Sequence, residues 1–355
     1  ARPDRTDLER LHEGALEDLA GGASSLEVDL RRLADSPTVD EIAELLARIL
    51  EGVHLDYISL AVAGPGTAPA RALLQVAGAS KAGATVALNL DPVGFAAISG
   101  VTPEQARAEL RECCQLAAQR LLAGVGRVRI EKALRADGGV WSDAGGSNVQ
   151  ELAGVLATTA EYLRGLTAQQ ASSVPLERAF DAVSWRLSVT TRFFSQISKL
   201  RAARILFGRM VEASGVAGRP LLLEAMTARR VLTTRDNKVN LLRSTATTFG
   251  AVLGGADIVK AAAFDAVTAA ADDEEHSRAR RLARNTQVIL MEESSLGLVA
   301  DPAGGAWAIE SQSVELSRFA WQLFQEIEQR GGMIEVLASG WLHEHISRVA
   351  DQLLR

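Results

Sequence analysis

This 355-residue chain has only two cysteines, Cys113 and Cys114, and they are adjacent. Neighbouring cysteines supply neither a disulfide framework nor a CxxC metal site. Within the helical pattern of 103–123 their simplest role is to fill core. Aromatic residues are scarce, and no Lys/Arg run is interleaved with them. Together with a net charge of −6, this argues against a nucleic-acid partner. No apolar run reaches the ~18 residues that a membrane span requires. The stretch ARPDRTDLERLHEGALEDLA is charged throughout, unlike a secretory leader. The expectation is a soluble cytoplasmic protein that engages neither nucleic acid nor membrane.

What is present is a hydrophobic content of 47%, enough for a large core. Short apolar runs alternate with longer helical patterns, the signal of βα units around a parallel sheet. Strands are expected at 25–30, 57–63, 85–91, 127–134, 182–189, 219–226 and 256–264. Helices are expected near 39–51, 69–81, 103–123, 147–165, 191–215, 238–252 and 275–293. A last helix near 311–330 carries Val314, Phe319, Leu323, Phe324 and Ile327 as an apolar stripe. Glycine and proline mark the joints, as at Gly64-Pro65-Gly66, Gly138-Gly139 and Gly304-Gly305. Seven such strands fit an open doubly wound sheet or most of a (β/α)8 barrel, and periodicity does not separate the two.

The most informative stretch is RLARNTQVILMEESSLGLVADPAGG, residues 281–305. It reads as an amphipathic helix carrying Arg281, Arg284, Asn285, Gln287, Glu292 and Glu293, then a tight turn from Asp301 to Gly305. It resembles the RIARNTQ…EE…DP.GG stretch of the methylmalonyl-CoA mutases, a family of cobalamin-dependent acyl-CoA isomerases. The resemblance continues in VALNLDPVGFAAISG (86–100), DAGGSNVQELAGVLATTAEYLRGL (143–166) and FFSQISKLRAARILF (193–207). It resumes in LTTRDNKVNLLRSTATTFGAVLGGADIV (232–259) and FQEIEQRGGM (324–333). It covers about residues 1–335 and is closest to the smaller, non-catalytic subunit of bacterial two-subunit mutases. It implies a (β/α)8 TIM-type barrel. The first strand would lie before residue 1 or be supplied by something irregular near the N-terminus.

The departures from the family pattern matter as much. Where catalytic members place a Tyr-His pair that meets the substrate carbonyl, this chain has Gly139 and Val140, or Trp141 and Ser142 in the alternative register. The IQND…VRNTY segment, whose arginine clamps the substrate carboxylate, is replaced by GVTPEQARAELRECCQLAAQRL (100–121). In the family's HCQTSGW segment, Glu224 and Met226 stand at the His and Gln positions, and only Thr227 survives. The cobalt-ligating DxHxxG motif is absent around all five histidines, His12, His54, His276, His343 and His345. Radical rearrangement of a CoA thioester needs the cofactor bound and the reacting atoms fixed. These residues do not supply that.

Other constellations have plain readings. Glu292 and Glu293 diverge by ~100° on a helix, so capping or ion pairs to Arg281 and Arg284 explain them better than paired acid/base chemistry. His343 and His345 face apart at i,i+2, which disfavours a metal pair. Gly64-Pro65-Gly66 lacks GxGxxG and a Walker lysine, so it reads as a βα turn. Asp143, Asn148 and Glu151 are candidates for a barrel mouth, while Ser147 or Asp143 is an equally good N-cap for the helix near 147. Arg243 could meet a CoA phosphate or form an ordinary ion pair. Trp141, Met226 and Arg230 stand where substrate space would be and lean toward filling it.

The resemblance therefore implies a mutase-type barrel over 1–310, a helical extension over 311–355 and no cobalamin-binding domain. The chain would be the small non-catalytic subunit of an adenosylcobalamin-dependent methylmalonyl-CoA mutase, an isomerase. Its larger catalytic partner, in a heterodimer, would carry the cofactor. No catalytic, cofactor or metal residue is expected here. Candidate barrel-mouth or CoA-ester contacts are Asn89, Asp91, Ser142, Asp143, Glu224, Thr227 and Arg243. The signature residues Arg284, Asn285, Glu292, Glu293 and Asp301 are expected to be structural. The alternative is a stand-alone acyl-CoA-binding or acyl-CoA-transforming barrel that has lost cobalamin.

Overall fold

The computed structural model describes residues 5–31, 37–123, 126–168, 173–268 and 273–354. Its elements begin with α1 (Arg5–Ala20), β1 (Ser25–Asp29), α2 (Val39–Ile49), β2 (Ser59–Ala63), α3 (Ala68–Ala79) and β3 (Ala84–Leu90). Then come α4 (Pro92–Ser99), α5 (Pro103–Leu122), β4 (Val128–Asp137), α6 (Gly139–Asp143), α7 (Asn148–Thr167) and α8 (Leu176–Ala182). Next are β5 (Val183–Val189), α9 (Phe193–Ala213), β6 (Leu222–Thr227), α10 (Val239–Leu253) and β7 (Ile258–Lys260). The chain finishes with α11 (Asp273–Glu292), α12 (Trp307–Gln329), α13 (Met333–Ala338) and α14 (Trp341–Leu354).

Among the described residues seven parallel strands alternate with helices, an α/β fold of the (β/α)-barrel type with one strand fewer than eight there. All seven expected strands are present with ends shifted by a few residues, and the last shortens to Ile258–Lys260. Among the described residues α1 precedes β1 and no strand does; residues 1–4 lie outside them. Among the described residues no helix is long and apolar enough to cross a membrane.

The chain divides into two compact units. The first comprises 1–96, 104–135 and 162–183. In it β1 to β4 pair in order, with Leu26 beside Leu60 and Ser59 beside Thr85. β3 is buried along nearly its whole length, as expected of a parallel strand covered on both faces. α2 opens with a reciprocal capping box between Thr38 and Glu41, and Arg48 sits in its last turn against the helix dipole. Its Ile42, Leu46 and Ile49 turn inward, and α2 packs on α3, whose Leu73 and Ala77 are also buried. Each fully buried leucine, such as Leu46, Leu60 or Leu73, contributes about 1.5–3 kcal/mol.

The second unit comprises 97–103, 136–161 and 184–355. It holds the end of β4, nearly all of β5, then β6 and β7, with Arg186 beside Glu224 and Glu224 beside Ile258 in register. β5 is buried at every position although its sequence, VSWRLSV, includes two serines and an arginine. α9 packs on α10 and α12. The 20-residue α11 buries only Ala279 and Ala283.

Candidate functional site

Barrel enzymes of this class place their chemistry at the C-terminal ends of the strands. In the second unit that end is occupied by a buried ionic network. β4 ends at Asp137, and the chain turns through Gly138 and Gly139 into α6. The Gly138 N–H donates to the Arg186 carbonyl at 2.7 Å. A Cβ on Gly138 would lie 2.9 Å from that same oxygen and 2.8 Å from Leu187 Cδ2, so only glycine allows the approach. Asp137 accepts from the Gly139 N–H at 2.9 Å and from the Arg186 guanidinium. The other side of that guanidinium lies 3.7 Å from Glu224 Oε1. The arginine of an otherwise uncharged strand is thus held between two carboxylates.

A second buried pair lies behind it. Lys199 of α9 donates to Glu151 of α7 at 2.7 Å and to the Ser188 carbonyl. Glu151 accepts from the Ser188 N–H at 2.6 Å. Burial pushes the Glu151 carboxyl up and the Lys199 ammonium down, and the opposite charge of each partner pulls back. The pair and the Ser188 backbone satisfy one another, which is what a buried ion pair needs to persist.

Candidate residues of this unit fall around the network. Glu224 belongs to it. Thr227 is buried, with its hydroxyl 2.9 Å from that of Thr247 and accepting from the Ala262 N–H at 3.2 Å, so it ties β6 to α10 and the end of β7. Ser142 is fully buried on α6 beside Trp141, whose indole lies against Gly154 of α7. Asp143 is exposed at the end of α6. Ser147 takes the N-cap role at α7: its hydroxyl accepts from the Gln150 N–H while the Gln150 side chain accepts from the Ser147 N–H. Arg243 donates to the Val231 carbonyl and Arg230 to the Gly146 carbonyl. Both arginines brace loops.

Asn89 and Asp91 lie in the first unit. Asn89 is buried in the left-handed region at φ +47°, uncommon for a residue other than glycine. Its amide donates to Glu27 Oε2 at 3.4 Å, and Arg135 donates to the same oxygen at 2.6 Å. Asp91 opens α4 by accepting from the Gly94 N–H at 2.9 Å, and any side chain at Gly94 would strike its carboxylate. Tyr162 donates to Asp91 from a fully buried position. Burial, then the Asp91 charge, drives that phenol well above its ordinary range. The Gly66 N–H and Thr67 hydroxyl donate to Glu109 and Glu112 of α5, so this loop is held by carboxylates. Both cysteines are buried, and burial raises the Cys113 thiol well above its usual range, which makes it a poor nucleophile.

The signature stretch is largely at the surface. Asn285, Glu292 and Glu293 are exposed and Arg284 is half-buried. Asp301 pairs with Arg201 of α9, which also pairs with Glu310 of α12. Glu310 in turn accepts from the Gly305 N–H at 3.1 Å. Arg201, Arg186, Asp137, Lys199 and Tyr162 were not singled out by the sequence reading. A charged residue inside an apolar strand or helix run is the signal that would have found Arg186 and Lys199.

The histidines are dispersed. His12 meets the Ile49 carbonyl, His54 packs against Tyr57, and His276 pairs with Asp265 at 2.7 Å. His345 stacks on Trp341 and meets the Gln150 amide, while His343 is exposed. Among the described residues no group of three or more His, Cys, Asp or Glu side chains is placed to hold a metal.

The profile of the family described as methylmalonyl-CoA mutase matches residues 38–355. A methylmalonyl-CoA mutase small subunit from Streptomyces virginiae is 38% identical over 347 residues, covering 96% of this chain and 53% of the relative. One from Propionibacterium freudenreichii subsp. shermanii is 33% identical, covering 98% and 53%. A 2-hydroxyisobutanoyl-CoA mutase large subunit from Aquincola tertiaricarbonis is 28% identical over 213 residues, covering 59% and 37%. The chain spans about half the length of the small subunits it matches.

Proposed function

The chain belongs to the methylmalonyl-CoA mutase family, and on that premise we propose that it is the small, non-catalytic subunit of a two-subunit mutase. The complex would interconvert methylmalonyl-CoA and succinyl-CoA in the cytoplasm. The reaction would run on a larger catalytic subunit that carries adenosylcobalamin. This chain would contribute a barrel over 1–310 and a helical extension over 311–355, which support the partner's fold and assembly.

The observation that carries the reading is the state of Glu224. The resemblance puts it where catalytic family members are expected to carry a substrate-contacting histidine, and it is buried beside Arg186, which also holds Asp137. A carboxylate so placed accepts hydrogen bonds and donates none, so it cannot polarise a thioester carbonyl as a donor does. The α6 turn offers no histidine in its place. Nor do the residues present fit a cobalamin. Four of the five histidines have local partners, and the exposed His343 stands outside any DxHxxG motif. No step of the isomerisation is therefore assigned to this chain.

Native mass analysis of the tagged protein purified from its own cells tests the proposal. A complex with a larger chain and bound corrinoid is expected. A lone monomer or homodimer without corrinoid would refute it.

A further inference from the structure

We propose that Phe194, Met291, Leu298, Val299 and Trp307 form the surface on which this chain docks its larger subunit, which must present apolar side chains within a basic rim. The inference rests on the subunit reading above and adds the place of contact. Single exposed apolar residues need no explanation, but a contiguous set does. Trp307 is 83% exposed, Leu298 84%, Phe194 68%, Val299 60% and Met291 56%.

Hydrogen bonds show that these residues lie close together within the second unit. The Ser198 hydroxyl lies 3.1 Å from the Phe194 carbonyl and 3.5 Å from that of Ile309, so the first turns of α9 and α12 touch. Arg201 grips both Asp301 and Glu310. That clamp fixes the segment carrying Leu298 and Val299 against the start of α12, where Trp307 stands. The Ser294 N–H closes α11 on the Ile289 carbonyl at 2.9 Å, and the end of α11 packs on the turn at 296–298.

The size and charge of the patch select the occupant. Aromatic side chains of ~150–250 Å² and smaller aliphatic ones, at these exposures, leave roughly 700 Å² uncovered. That exceeds the largest patch on an ordinary monomer, about 300–600 Å². It approaches the ~800 Å² that each partner buries in a stable complex. The rim carries Glu292, Glu293, Asp301 and Glu310 against Arg192 and Arg201, and Arg201 is already paired with two of these carboxylates. A second copy related by a two-fold axis would bring acidic rim to acidic rim, so a different chain with basic residues around its apolar centre fits better.

The test co-expresses the full chain with the larger mutase subunit of the same cells and measures the dissociation constant of the purified pair. The wild type should pair. Trp307→Glu and Leu298→Glu should each weaken pairing by about tenfold or more, as buried centre positions do. Tyr57→Glu, at an equally exposed site of the first unit, should leave it unchanged. Wild-type pairing with unaffected Trp307→Glu and Leu298→Glu variants would overturn this surface and leave the subunit function standing. Variants that lose only their own thermal stability would overturn it in favour of a covering segment of the same chain. Loss of a homodimer would overturn it in favour of a second copy. A wild type that never pairs would overturn the surface and the subunit reading together.

Discussion

The two units use the same βα grammar but differ in how many charges they bury and in how much apolar surface they expose. The first unit hides its apolar side chains, and its interior polar groups act mostly as anchors: Asp91 opening α4, Tyr162 holding Asp91, Arg135 paired to Glu27. Among its described residues only Leu11, Leu16, Tyr57 and Leu122 are large, apolar and exposed. The first unit buries the Arg135–Glu27 ion pair, and the second buries a linked set of charges, Arg186 between Asp137 and Glu224 with Lys199 on Glu151. The second also leaves Trp307, Leu298 and Phe194 in the open. The contrast teaches that a barrel of this type can build part of its interior from ion pairs as well as from apolar side chains. Its apolar surface is then available for a neighbour.

The strongest way to break this comparison is Lys199→Met. It strands the Glu151 carboxylate in a buried site, which should cost about 3–5 kcal/mol in chemical denaturation. Adding Glu151→Leu should restore most of that loss, because removing both charges of a buried pair is often neutral or better. A single variant no more sensitive than a surface control would show that the second unit does not depend on its charges.

In the first unit, Gly94→Ala forces a methyl group into the Asp91 carboxylate. The expected loss is about 1–3 kcal/mol, the range for overpacking. Thr38→Ala removes the capping box of α2 and should lower stability by about 1 kcal/mol, visible as a small shift in thermal midpoint. If either matched the Lys199 variant, the contrast between a capped and an ionic unit would fail.

The smallest expected effect is a pH dependence at α14. Burial lowers the His345 imidazole below its ordinary range; Glu326 opposes the shift, and Arg348 and Arg330 add to it. The folded state therefore favours the neutral ring. Its contribution is complete above the unfolded value near 6.5 and is lost as pH falls from there through the folded value. Protection factors across α14, taken relative to the intrinsic exchange rate at each pH, should fall as pH falls through that window, and a His345→Gln variant should show a flatter response.

The strands and most of the long helices were legible because each is long enough for its hydrophobic period to repeat, but the 16-residue α1, charged throughout, was not expected. The short helices α4, α6, α8 and α13 were not, since six or so residues cannot display a 3.6-residue period. Glu224, Thr227 and Asp91 could be singled out by position in a motif. Their partners could not: Arg186 meets Glu224 only through strand register, and Arg201 meets Asp301 across 100 residues of chain. Arg186 sits inside an apolar strand, where nothing local says which carboxylates will flank it.

The clamp of Arg201 on Asp301 and Glu310 bears on how this lineage can be recognised. The stretch that most readily betrays ancestry, running down to the DPAGG turn, ends in a brace that holds two helices. Selection on such a brace acts through stability, independently of what residue stands at position 224. A search keyed to it would therefore retrieve family members whatever residue they carry at position 224, and that position is the better one for sorting them.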